Sequence, residues 1–391
     1  MDANKTMMYT DEEKDTQLIV QDALGLITNP TITISDVLTQ ELVFALCINK
    51  NKILMRAFQM RLEQEMRQIP LLDEPKNQLD AKIDNLLSFI AYTEPKNNSS
   101  INIPTVVNQG FELVNYTVQR INLTSDYFST PYTCYGLLPN AMSGAQARLI
   151  FMGTTFPTAK GFAQALLADT APGGGVGHFV YLQGQRFLQD WINQQFEKTQ
   201  QAIHCCGQSL GGAMAMQTYV HQPNKVHFTA INPPFLTNAE RRVLEGSCVN
   251  PNEWVLNNQI YSHVQDPIAQ IGHWFPSTTN VCIHGTKNDF RGSELHKYFK
   301  AHAAQLTTQQ FTHYNGLDYL KKLQHQSSRM IRHYTLKPFR AAAFFTFFTA
   351  TSASSLPRWV GKLSGVRPTQ EAGPQLLAST DDACENKQAP T

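Results

Sequence analysis

The sequence predicts an α/β protein: a mostly parallel sheet with helices on both faces, preceded by a helical N-terminal region. Three observations carry that expectation. Between about residues 111 and 300, short β-rich runs alternate with helical ones, the pattern left by strands joined through crossover helices. Residues 1–105 space their apolar side chains at helical rather than alternating intervals. The 391 residues are 42% hydrophobic and only 16% charged, against about a quarter charged in an average domain, so the chain buries a large core under a weakly charged surface.

Charge and cysteine usage narrow the partners. Lys+Arg and Asp+Glu number 32 and 31, so no overall field draws the chain to nucleic acid, and no nucleic-acid partner is expected. The seven cysteines are odd in number, scattered and free of metal-ligand spacing, which predicts a reducing compartment with neither disulfides nor zinc. The opening MDANKTMMYTDEEKDTQ has no basic start followed by an apolar block and is not a secretory signal. A cytoplasmic or peripheral-membrane location is the expectation.

Taken in order, "SDVLTQELVFALCINKNKILMRAFQMRLEQEMRQIP" reads as a helix with Ser35 as N-cap, apolar residues at Leu38, Leu42, Ala45 and Leu46, and a stop at Pro70. "AKIDNLLSFIAYTEP" gives a second, shorter helix. "EPKNNSSINIPT" (94–105) gathers turn formers and is expected to link the helical region, 1–105, to an α/β domain over 106–335. In that domain "TVQRINL", "ARLIFMG", "AIHCC", "VHFTAINPP", "QIYSHVQDP" and "NVCIHG" read as strands, while "GHFVYLQGQRFLQDWINQQFEK" and "LGGAMAMQTYVH" read as helices. "APGGGVGHF" (171–179) is expected to be a flexible loop. Residues 336–356 form an apolar, aromatic segment. It reads equally as a buried last element of the core and as an interfacial anchor, with the basic residues Lys321, Lys322, Arg329, Arg332, Lys337 and Arg340 meeting anionic lipid. Residues 357–391, polar and rich in proline and small side chains, are expected to be disordered.

One stretch carries chemistry. "IHCCGQSLGGAM" places Ser209 between Gly207 and Gly211, after a strand and before a helix. Gly-x-Ser-x-Gly alone arises by chance in roughly one chain of this length in ten. Context gives it weight: a sharp strand-to-helix turn lifts the serine above the sheet, requires small neighbours, and aims a helix N-terminus at a developing oxyanion.

These residues resemble the class-3 lipases of the α/β-hydrolase fold, whose elbow reads GHSLGGA where this chain has GQSLGGA at 207–213. The resemblance covers roughly residues 110–300, and its landmarks recur in the family's order. "LIFMGTTF" is similar to the strand whose terminal Gly-Thr/Ser supplies an oxyanion donor, which implies Thr154 beside Leu210. "AINPPF" is similar to the strand ending in proline after the elbow helix. "YSHVQDPIAQIG" looks like the strand followed by Asp-Pro and implies Asp266 as triad acid; "SELHKYF" looks like the late histidine segment and implies His296. Met152 and Gln208 depart from the family's arginine and histidine at their positions.

The resemblance thus implies a triad of Ser209, Asp266 and His296, successive members 57 and 30 positions apart, and a serine esterase of lipase or phospholipase type that needs no cofactor and no metal. Asp289, in "HGTKNDF" after an apparent strand, is the rival acid, and His284, His273 and His302 are the rival histidines. "GFAQALLAD" (161–169) reads as a lid over a lipid-facing site or as an ordinary covering helix. Two other functions stay open: a catalytically inactive lipase-like module that binds a membrane or a partner, and a thioesterase or peptidase on the same scaffold. A lipase-like domain with a loose polar tail and no signal peptide also fits a bacterial effector exported without one.

Overall fold

In the computed structural model the described residues are 11–34, 37, 51–107, 110–124, 132–141, 143–154 and 175–234, with shorter stretches at 236–237, 239–240, 242–243, 258–263, 266, 280–284 and 312–313. They form an α/β structure. Among the described residues three helices lead: α1 (Asp11–Thr28), α2 (Lys52–Gln68) and α3 (Lys76–Ile90). The single helix expected from Ser35 onward is interrupted. Asn51 is extended at ψ 115°, and its side-chain oxygen accepts the Ile53 and Leu54 amides at 2.9 and 3.3 Å, so α2 starts afresh there. The cause is local: in "NKNK" an asparagine gains more by capping a helix than by continuing one. Ser35 itself lies outside the described residues. The stop at Pro70 holds, since α2 ends at Gln68 and passes into a 3-10 turn, Ile69–Leu71.

Among the described residues nine strands make one sheet, in the spatial order of the chain: β1 (Ser100–Val107), β2 (Gly110–Asn122), β3 (Thr133–Pro139), β4 (Arg148–Phe151), β5 (Ile203–Gln208), β6 (Val226–Ile231), β7 (Asn258–His263), β8 (Asn280–His284) and β9 (Thr312–His313). The expected mostly parallel sheet is corrected to a mixed one. β4 to β8 pair in parallel, but β1 to β4 form an antiparallel meander, and β9 is antiparallel to β8.

The linker expected at 94–105 is corrected too, because its second half, from Ser100 on, enters β1. Its turn-forming composition is overridden by alternation: Ile101 and Ile103 point into the core while Asn102 does not. Pro104 is tolerated because β1 is an edge strand. The division drawn at 105/106 therefore falls inside a strand.

Two further helices, α4 (His178–Thr199) and α5 (Leu210–His221), connect β4 to β5 and β5 to β6. Because successive parallel strands step in one direction, right-handed crossovers lay both helices on the same face. Leu149, Phe151, Ile203, Cys205 and Phe228 meet them in one core. Among the described residues no crossover helix lies on the other face, and the N-terminal helices cover it: Phe58, Leu62, Ile83 and Leu87 pack with Ile103, Tyr116, Ile150 and Cys206 in a second core.

Beneath α3 the second face also holds charge. Arg148 donates to Asp84 at 2.6 Å and to Asp80 at 3.2 Å; the His204 ring meets the other Asp84 oxygen at 2.6 Å. Burial would raise the Asp84 carboxyl, but His204 and Arg148 outweigh it and hold Asp84 below the usual carboxylate range. This cluster ties α3 to β4 and β5.

Candidate active site

β5 is buried along its whole length, and its pleat sends Cys205 to one core and Cys206 to the other. Burial raises both thiols well above their ordinary range, so they act as small apolar side chains. The strand ends at Gln208 and α5 begins at Leu210. Ser209 between them has φ 55° and ψ −125°. A non-glycine residue there costs about 1–3 kcal/mol of strain, held by surrounding structure that leaves no alternative.

That surrounding structure is visible. The Ser209 amide donates to the Ile231 carbonyl of β6 at 2.9 Å, and its carbonyl accepts the Ala213 amide of α5 at 3.1 Å. Any Cβ at Gly207 would collide with the Gly211 carbonyl group, and one at Gly211 with the end of β4 at Phe151. The sequence expectation of a tight strand–turn–helix is met, and its two glycines have the steric reason anticipated for them. Ser209 retains 8% of its surface at the carboxyl edge of the sheet.

The same contacts bring β4 to the serine. A Cβ at Gly153 would lie 2.9 Å from the Gln208 carbonyl and against the Tyr92 hydroxyl. Tyr132, buried on the opposite face, donates its hydroxyl to the Met152 carbonyl. Thus the turn that ends in half-buried Thr154 is wedged beside the first residues of α5, where Leu210 lies buried. Amides in the first turn of a helix have no intrahelical acceptor and carry the positive end of its dipole.

β6 and β7 complete the edge. Asn232 follows β6 with φ 46°; its amide donates to the Tyr261 carbonyl at 2.7 Å, and its side-chain oxygen accepts the His263 amide at 2.7 Å. Asp266, fully buried, donates its own amide to the His263 carbonyl at 3.0 Å. Ser209 and Asp266 therefore leave strands two places apart, about 10 Å at the usual strand spacing. His296, Asp289, His273 and His302 lie outside the described residues, and of His284 only the backbone position in β8 is described. Residues 161–169 and 321–356 also lie outside them.

A second polar group flanks the entry to α4. Where the sequence suggested a flexible loop, the described part, Gly175 to Phe179, turns through Gly177 at φ 84° straight into α4. Gly175 donates to Glu240 at 3.3 Å, Gln217 at 2.6 Å, and His178 approaches the same carboxylate at 3.1 Å. Its other oxygen takes the Thr237 amide and hydroxyl at 2.7 and 2.8 Å, a capping box at the start of a helical turn. Burial pushes the Glu240 carboxyl up, but these bonds, His178 foremost, bring it down to about 2. The bond to Glu240 raises His178 despite its partial burial.

Sequence reasoning missed Asn232, Tyr132, Tyr92 and Glu240. For Asn232 a signal existed: an asparagine closing the strand beside the elbow strand. Tyr92 and Tyr132 carry none, because their approach to β4 depends on how separate elements pack. Among the described residues no cluster of histidine, cysteine, aspartate and glutamate fits a metal ion, and no helix is long and apolar enough to cross a membrane. The chain matches no family model, no curated protein and no solved structure.

Proposed function

We propose that the chain is a serine esterase of the α/β-hydrolase fold, resembling class-3 lipases, which cleaves acyl esters of lipids through an acyl-enzyme on Ser209. The observation that carries this reading is the strained backbone of Ser209, φ 55° and ψ −125°, at a strand-to-helix turn packed tightly enough to need glycine on either side. An ordinary turn has no reason to hold a serine in that conformation; a nucleophile raised above a sheet does.

In this mechanism a histidine, His296 by the resemblance, takes the Ser209 proton as the hydroxyl attacks the ester carbonyl. It then returns the proton to the leaving alcohol. Asp266 orients the imidazole and balances its charge. The Leu210 and Thr154 amides receive the oxyanion, each worth about 10²- to 10³-fold in rate. Water then repeats the cycle on the acyl-enzyme and frees the acid. No step calls for a metal or cofactor. A lipid surface is the favoured source of substrate, with residues 321–356 as the membrane-facing segment.

The test is release of p-nitrophenol from p-nitrophenyl acyl esters, and of fatty acid from phospholipid vesicles, by the full chain. Ser209→Ala is expected to lower kcat by at least about 10³-fold. Parallel loss in Asp266→Ala but not Asp289→Ala, and in His296→Ala but not His273→Ala or His302→Ala, assigns the other two members. Equal hydrolysis by wild type and Ser209→Ala rejects the reading.

A further inference from the structure

Asn232 does more than end a strand. Three hydrogen bonds run through one short piece of chain: Ser209 amide to Ile231 carbonyl (2.9 Å), Asn232 amide to Tyr261 carbonyl (2.7 Å), and His263 amide to the Asn232 side-chain oxygen (2.7 Å). The next bond, Asp266 amide to His263 carbonyl at 3.0 Å, reaches the candidate acid. The end of β6 is thus the common brace between the turn that carries Ser209 and the turn that carries Asp266.

The residue type matters twice. At φ 46° the backbone lies in the left-handed region, which glycine enters freely and asparagine more readily than most residues. Glycine would meet the backbone requirement alone. Only a side chain with an acceptor also takes up the His263 amide, and Asn232, fully buried, supplies it. A buried backbone donor left unmatched would favour movement of the β7 end toward some other acceptor.

We propose that Asn232 is a positioning residue that holds the carboxyl end of β7, and with it Asp266, in register with Ser209. The inference rests on the serine esterase reading of the same site. Its consequence is kinetic. A carboxylate displaced by about 1 Å orients the imidazole poorly, and such displacements cost up to about 10²-fold in rate. A carboxylate farther from the imidazolium also stabilises it less, so the pKa that governs the acidic limb of the pH–rate profile falls.

The experiment compares full-length wild type with Asn232→Gly, a substitution that keeps the left-handed backbone and removes the acceptor. Steady-state hydrolysis of a p-nitrophenyl ester is followed from pH 5 to 9. The expected result is kcat lowered about 10- to 100-fold with KM within about twofold of wild type, and an acidic limb displaced to lower pH. An unchanged kcat and an unmoved limb overturn the proposal, as does a loss confined to KM. If Asn232→Gly does not fold, exchange of the His263 amide in wild type decides: strong protection is expected, and free exchange overturns the brace. Absence of hydrolysis by wild type instead rejects the esterase reading, while His263 protection still reports on the bond itself.

Discussion

At the scale of the residue, Ser209 is held in a conformation that its own Cβ disfavours, and the neighbours that enforce it are glycines. The strain makes a prediction about stability that is separate from chemistry. Ser209→Gly relieves the positive φ and is expected to stabilise the fold by about 1 kcal/mol in urea denaturation, whereas Ser209→Ala keeps the strain and is expected to leave stability nearly unchanged. Equal effects of the two substitutions would mean that no strain is stored there. Much of this residue-scale picture was legible in the sequence, because Gly207, Ser209 and Gly211 are local partners whose spacing dictates their contacts. For Asn232 only its place at the end of the strand was legible; its bond to His263, 31 positions away, was not.

At the scale of the element, the strands and helices from β4 to β6 followed their sequence patterns, while β1 and β3 did not announce themselves. Both lie in the antiparallel meander. β1 hides among turn formers, and "TCYGLLP" mixes glycine and proline into a strand whose burial comes from packing on both sides. The Glu240 cluster is equally non-local, joining Gly175, His178 and Gln217 across 65 residues of chain. It carries a pH dependence of definite sign. His178 is raised above 6.5 in the folded state, so its contribution is complete below about pH 6.5 and is lost as pH rises through the higher folded value. Glu240, held to about 2, keeps its contribution constant over that window. The melting temperature of wild type is therefore expected to decline between pH 6 and 9, and that of His178→Gln to decline less. Parallel curves would remove His178 from the account.

At the scale of the whole molecule, the sheet needs its N-terminal helices. Consecutive parallel strands placed α4 and α5 on a single face, and the helices read from the sequence as a preceding region prove to be the cover of the other. Asp84, Arg148 and His204 join the two layers through a buried cluster of an ion pair and hydrogen bonds. Removing one partner from such a cluster leaves the other uncompensated, so Asp84→Ala is expected to cost about 3–5 kcal/mol in chemical denaturation. A loss under 1 kcal/mol would mean that the layers are held by apolar packing alone. With both faces of the central strands β4 and β5 covered, the carboxyl edge of β4 to β7 is where Ser209, Thr154 and Asp266 leave their strands, the edge at which open α/β sheets place their chemistry. The most direct measurement is reaction of the folded full-length chain with a fluorophosphonate, followed by peptide mapping in the mass spectrometer. The expected result is a single phosphonyl adduct on Ser209 that is absent from Ser209→Ala and suppressed by an acyl-ester substrate; no adduct, or an adduct on another residue, would contradict the account.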